Sequence, residues 1–349
     1  MFITPTLTID LRAMSDNWQQ LRNRFAGREC AAVVKADGYG LGAIAIATAL
    51  EKAGCHTFFV ATADEAMALR ATLPDVRILV LHGVLAGEEF AFAAHRLIPI
   101  LNSAEQMARW KPVAAEHVHA VSALHIDTAM GRLGLQPHEF AALLARDPSA
   151  LAACRVSLLM SHLACAPEAG HALNAAQLKR FQATCALAPG IPASLCNSGG
   201  IYLPADYHFD LARPGCALYG IAARSSAIAD TLRSVATWQA PILSTRVLER
   251  EQTIGYGATI TAAKGRRLAT VASGYADGYL RGLSNVGAVG YVGKHRVPLL
   301  GRVTMDMLVF DVSDVPEALL HEGAPITLLG DQDGIRVDDI AHAASTIGY

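Results

Sequence analysis

The sequence predicts an α/β protein, with a (β/α)8 TIM-type barrel over residues 1–232 followed by a mostly β domain over residues 233–349. Three observations predict it. Short apolar runs alternate with longer stretches of helical spacing through the first two thirds of the chain, and eight such runs can be picked out. Polar residues follow the runs at once: Lys35, Thr62, His82, Asn102, Asp127, His162, Asn197 and Arg213. In a barrel those positions ring the C-terminal mouth, where such folds keep their active sites. Beyond about residue 232 the texture changes to short β-like runs punctuated by Gly and Pro.

The candidate barrel strands, in order, are Cys30–Val34, Thr57–Ala61, Arg77–Leu81, Leu97–Leu101, Ala123–Ile126, Val156–Met160, Ser194–Cys196 and Phe209–Ala212. Between them the spacing predicts helices over Ile44–Lys52, Asp64–Thr72, Ala104–Trp110, Glu139–Arg146 and Ala175–Ala188. Ser103 with Gln106, and Asn174 with Gln177, read as helix caps. In the second domain the β runs are Trp238–Val247, Arg267–Ser273, Gly287–Tyr291, His295–Leu299, Met307–Val312 and Pro325–Leu329.

Composition excludes several function classes. The net charge is −2 with no recurring basic stripe, which argues against nucleic acid as a partner. No apolar run reaches the roughly eighteen residues of a membrane span, and Met1–Leu11 lacks the pattern of a signal peptide. The seven cysteines are scattered and never form a CxxC pair, so neither a disulfide framework nor a metal site is expected, and the compartment reads as reducing cytoplasm.

Lys35 ends an apolar run and is followed by Ala36-Asp37-Gly38-Tyr39-Gly40. A cation after a buried strand either snorkels into solvent or is kept for chemistry. A partly dry lysine loses its proton more readily, which is what Schiff-base chemistry with an aldehyde cofactor requires. Asn197-Ser198-Gly199-Gly200 and Arg213-Pro214-Gly215-Cys216 follow the last two barrel strands, where glycine-bearing turns cradle phosphate in many barrels. With Lys35 they outline a site for pyridoxal phosphate. Arg132 has the planar fork to hold a phenolate or carboxylate, or pairs with a surface acid. His162 reads as structural unless a phenol lies beside it. Tyr256 stands between Gly255 and Gly257, and Tyr275 and Met305 lie in further turns; a tyrosine acts as a base only with a cationic or hydrogen-bonding partner.

Together the strand-one lysine motif, Met-Gly-Arg-Leu-Gly, Ser-His-Leu-Ala, Asn-Ser-Gly, Arg-Pro-Gly, Gly-Tyr-Gly-Ala-Thr, Gly-Tyr-Ala-Asp-Gly and Gly-Arg-Val-Thr-Met-Asp resemble the alanine racemases, fold-type III pyridoxal-phosphate enzymes, over nearly the whole chain. The resemblance implies an isomerase that interconverts L- and D-alanine with two bases, Lys35 and Tyr256, as a homodimer in which Tyr256 serves the partner's site. It implies that Lys35 carries the cofactor, that His162 bonds the Tyr256 phenol, and that Arg213 bonds the pyridine nitrogen. Tyr39, Ser198, Gly215, Cys216 and Tyr349 match phosphate contacts. Arg132, Met305 and Tyr275 match substrate contacts, and Arg281, Arg302 and Ile347 match the substrate passage. D-Alanine supply for the cell wall and D-alanine catabolism are both implied roles. One position departs from the pattern: His125 stands where some members carry a carbamylated lysine, so an anion such as chloride is expected beside Arg132. A racemase of broader range, taking serine or lysine, and a non-catalytic carrier of the cofactor remain open at this point.

Overall fold

The structure is a computed structural model and describes residues 4–223 and 232–349. The chain divides into two compact units, one of residues 11–232 and the other of residues 1–10 with 233–349.

In the first unit, parallel strands succeed one another in chain order: Ala32–Val33, Thr57–Val60, Arg77–Val80, Ile98–Leu101, Ser122–His125, Val156–Met160 and Ala193–Ser194. The eighth, Leu211–Ala212, pairs in parallel with Glu29–Cys30, the first half of strand one. Ala31 and Val33 donate to Ala212 and Pro214, and Asp210 and Arg213 donate to Ala193 and Cys196, so the ladder closes on itself. Closure leaves no free sheet edge. The interior is a packed core, with Val33, Phe59, Leu79, Ile100, Leu158, Met160 and Leu211 drawn from all round the ring. The active end is therefore confined to the loops that follow the strands.

The helices follow the sequence expectation with longer N-terminal ends. Thr62 and Ser103 cap Ala63–Thr72 and Ala104–Glu116, each hydroxyl accepting an amide three residues on. The second helix runs past Trp110 and through Pro112. Asn174 is not a cap: the helix Ala172–Ala186 begins earlier, at His171, and Asn174 instead donates to the carbonyls of Cys165 and Glu168.

The second unit is antiparallel β, with Ala236–Val247 pairing with Arg267–Val271 on one side and Pro325–Leu329 on the other. Thr6–Ile9 also pairs with the start of that long strand, so the first ten residues, read from sequence as part of the barrel, sit in this unit. Its core is built on Ile242, Val271, Leu308, Phe310, Ile326 and Leu328. A small hairpin, Gln252–Ile254 with Ile260–Ala262, was not apparent in the sequence, and it holds the Gly255-Tyr256-Gly257 turn at its tip.

Candidate active site

Lys35 follows the break of strand one, half-buried, and the backbone after it is unusual. Ala36, Asp37, Gly38 and Tyr39 have φ of 53°, 50°, 64° and 57°, a full left-handed turn containing three residues with side chains. Each such non-glycine residue costs on the order of 1 kcal/mol or more, so other contacts must hold the turn. The Glu65 carboxylate accepts the amides of Ala36 and Ala61 at 2.7 Å each, and Asp37 accepts Ala43 N at 2.8 Å. The turn aims Tyr39 back over the barrel, where its ring meets that of Tyr219 at 4.4 Å between centroids. Burial, and then the charge of Arg132, lower the Lys35 pKa below the ordinary lysine value, against a smaller opposing pull from Glu65.

Arg213 lies at the end of the eighth strand and is only 3 % exposed. It donates to Ser194 Oγ and, at 2.6 Å, to the Ser161 carbonyl, and its guanidinium stands over the Phe59 ring. Burial lowers its pKa to about 10, and no carboxylate pairs with it among the described residues. His162 Nδ1 is 3.5 Å from Arg213 Nη2, and its Nε2 is 3.5 Å from Asn197 Nδ2. Burial first, then Arg213, Arg132, His125 and Lys35, hold His162 well below the usual imidazole range, so it is neutral at working pH.

Ser198 Oγ accepts the amides of Gly215 and Ala217 at 2.9 and 3.2 Å, which ties the loop after strand seven to the loop after strand eight. A Cβ at Gly215 would collide with Tyr39 Oη, so only glycine lets these three pieces meet. Tyr39, Ser198, Gly215 and Cys216 thus lie together, with backbone amides and hydroxyls and no acid among them.

Arg132 is carried on a loop wound around Asp127. That carboxylate accepts the amides of Ala129, Met130 and Gly131 and the side chain of Gln136, at 2.7–3.2 Å. Burial opposes its charge, but these donors outweigh it and hold the pKa below the ordinary carboxylate value.

Sequence reasoning missed three residues that build this site. Glu65 fixes the left-handed turn; its signal was the Thr62-x-x-Glu65 spacing of a helix start. Gln177, fully buried, donates to the His162 carbonyl and accepts Ala164 N, pinning the Ser-His-Leu-Ala loop. Asp127 was visible only as one polar residue after a strand.

The remaining sequence candidates lie in the β unit. Tyr256 is at the hairpin tip and 73 % exposed. Tyr275 opens a turn whose backbone is bonded to the next loop, Tyr275 N to Thr304 O and Ala276 N to Met305 O. Gly274 permits that approach, since a Cβ there would strike the Met305 carbonyl. The Arg302 guanidinium lies 3.2 Å from where a Gly257 Cβ would be. Tyr256, Tyr275, Arg302 and Met305 thus belong to neighbouring loops at one end of that unit, with Arg281, Ile347 and Tyr349 also exposed.

Residues 9–223 match the family model for the N-terminal domain of alanine racemase, and residues 235–349 match that for its C-terminal domain. The chain belongs to the alanine racemase family. It is 48% identical to an alanine racemase of Rhodospirillum rubrum, covering 99% of this chain and 92% of that one. It is 45% identical to an alanine racemase of Rhizobium meliloti, covering 98% and 92%. Among solved structures it resembles the alanine racemase of Bartonella henselae with covalently bound pyridoxal phosphate, at a TM-score of 0.90 and 36% identity over 99% of this chain and 95% of that one.

The residues present fit that cofactor. A glycine-bearing cradle of amides and hydroxyls with no acid among its residues suits a phosphate dianion, a depressed lysine suits an aldehyde, and a buried arginine with no carboxylate partner among the described residues suits a neutral ring acceptor.

Proposed function

We propose that this chain interconverts L- and D-alanine with pyridoxal phosphate as its cofactor. The observation that carries the reading is the set of cationic and amide donors at the barrel mouth, half-buried Lys35 and buried Arg213 beside the Tyr39–Ser198–Gly215–Cys216 cradle, in a chain of this family. When bound, the cofactor supplies an aldehyde for linkage to an amine and an electron-withdrawing ring that stabilises negative charge at the α-carbon.

The chain's own residues do the rest. Tyr39, Ser198, Gly215 and Cys216 hold the phosphate, with Tyr349 as a further contact. Arg213 would donate to the ring nitrogen, and a guanidinium has no proton to give up near neutral pH. Lys35 Nζ, already shifted toward its neutral form, holds the cofactor at rest and moves the α-proton of the D-enantiomer. Tyr256 Oη does the same for the L-enantiomer on the opposite face, positioned by His162. Arg132, the Met305 amide and Tyr275 orient the substrate carboxylate, and Arg281, Arg302 and Ile347 line its passage. The domain division follows from these roles: a barrel to about residue 232 holds the cofactor, and the β domain presents Tyr256 to the partner subunit of a homodimer.

The exposure of Tyr256, Tyr275 and Met305 within their own unit supports that last step, because exposed rings at one end of a domain suit a surface that another chain completes. The two enantiomers have equal free energies in water, so the same site makes D-alanine for a cell wall or removes it, according to supply. No helix among the described residues is long and apolar enough to cross a membrane, and the enzyme is read as cytoplasmic.

Polarimetry on L-alanine, with the visible absorbance of the lysine-linked cofactor, tests the reading. Racemisation of alanine well above serine and lysine supports it. Cofactor binding without racemisation would make the chain a carrier, and equal rates on the three amino acids would make it a racemase of broad range.

A further inference from the structure

The left-handed turn after Lys35 begins with two residues whose side chains cannot hold it by packing. Ala36 and Asp37, at φ of 53° and 50°, are both exposed, and each adopts a conformation that a Cβ disfavours. Further along, Gly38 N donates to the Val34 carbonyl and Gly40 N to the Ala36 carbonyl, at 2.9 and 2.8 Å. The first amide of the turn, that of Ala36, goes outside it, to Glu65 Oε1 at 2.7 Å.

Glu65 reaches that amide by leaving its own helix cap. Thr62 Oγ1 accepts Glu65 N at 3.3 Å, which is half of a capping box. In the other half the glutamate would return to the Thr62 amide. Here Oε2 accepts Ala61 N at 2.7 Å instead, and Oε1 crosses to Ala36, 29 residues earlier in the chain. One carboxylate thus clamps the ends of strands one and two. Among the described residues no ion pair joins it to Lys35, so the clamp holds the backbone and not the amine.

Lys35 enters the clamped turn and Tyr39 leaves it. The Tyr39 ring packs on Tyr219, and its Oη lies so close to Gly215 that a Cβ there would collide with it. If Ala36 left the left-handed region, the chain between Lys35 and Tyr39 would change direction, and Tyr39 would lose its seat on Gly215.

We propose that Glu65 is a positioning residue: its carboxylate, diverted from its helix cap to Ala36 N, holds the turn that sets Lys35 and Tyr39, so that cofactor retention depends on a side chain whose oxygens bond main-chain amides. This rests on the reading of Lys35 and Tyr39 as holders of pyridoxal phosphate.

The test follows cofactor release from the loaded enzyme on dilution, by the absorbance of the lysine-linked cofactor. Glu65→Gln keeps one acceptor but turns an NH2 group toward the other amide, so release should be about tenfold faster. Adding Ala36→Gly removes the disfavoured Cβ, and the double variant should regain roughly fivefold of that loss. A general weakening of the barrel would not be mended by one glycine in the turn. Release at the wild-type rate in Glu65→Gln, or a double variant no better than Glu65→Gln, would therefore overturn the proposal. Hydrogen exchange read by mass spectrometry needs no turnover. Amides 36–42 should exchange faster in Glu65→Gln while amides 29–34 stay unchanged, and an equal rise in both would contradict a local clamp. A preparation that shows both effects but fails to racemise alanine sinks the functional reading and supports this one. One that racemises alanine and keeps its cofactor in Glu65→Gln sinks this proposal alone.

Discussion

The two units hold their candidate residues in opposite ways. In the barrel the candidate residues, or the backbone that carries them, are held by other side chains and carbonyls: Arg213 by Ser161 and Ser194, the Arg132 loop by Asp127, and the Lys35 turn by Glu65. In the β unit the backbone is equally well fixed, with the Tyr275 turn bonded to Thr304 and Met305, but the side chains are left bare. The difference separates two tasks. A site that must hold fixed charges and a lysine of lowered pKa is built inside one domain, where low dielectric makes those charges count. On the proposed reading, the group that meets the other face of the substrate is Tyr256, exposed at the tip of its hairpin.

The comparison is broken most severely at Lys35. Lys35→Ala should abolish racemisation in both directions and the borohydride-reducible cofactor link; a variant that kept that link at wild-type level would remove Lys35 from its role. Tyr256→Phe should act on one side only. Cofactor loading stays intact, while α-deuterium exchange falls by roughly 10²–10⁴-fold more from L-alanine than from D-alanine. Equal falls from both enantiomers would contradict the division of labour. Asp127→Ala strips a buried acceptor from three amides, so it should lower barrel stability by about 2–4 kcal/mol and raise KM for alanine. Urea denaturation and initial rates check the two effects, and a stability change without a KM change would detach the loop from substrate binding.

The response to acid is confined to a narrow pH range. The pKa of His125 is lowered from 6.5 to about 4, so below pH 6.5 the unfolded chain takes up a proton that the native ring refuses. Its contribution is full above that pH and is lost progressively as pH falls toward 4, on the order of 3 kcal/mol in all. His125→Gln should flatten the decline in urea midpoint between pH 7 and pH 4.5, and identical slopes would show that the ring is not held neutral.

The barrel was legible because alternating runs and helical spacing are local signals, and Lys35, His162 and Arg213 stand at strand ends where polar residues are conspicuous. The loops after strands seven and eight, which Ser198 ties together, were legible through their glycines. What escaped depends on contacts distant in sequence. Thr6–Ile9 reads as any short strand until Ala236–Gln239 pairs with it, far along the chain. Four residues of positive φ after Lys35 carry no local signature beyond one glycine, because the turn is held by Glu65 from the next helix. Likewise the buried contact of His125 Nδ1 with Asn102, 23 residues earlier, has no local signal, and Asn102 is itself held by the Leu81 and Ile100 carbonyls. Tyr256 was found by its flanking glycines, but the hairpin that lifts it was hidden by strands of only three residues.

The central claim is that a lysine from a barrel and a tyrosine from the partner's β domain act on opposite faces of one substrate. Mixing Lys35→Ala with Tyr256→Phe after confirmed subunit exchange tests it most directly. Neither variant should racemise alanine appreciably alone. A mixed dimer with shared sites holds one site in which both residues are intact, so random exchange should restore about a quarter of wild-type activity. Recovery near that level is the predicted result. No recovery despite complete exchange would mean that both residues come from one chain, and the claim would fail.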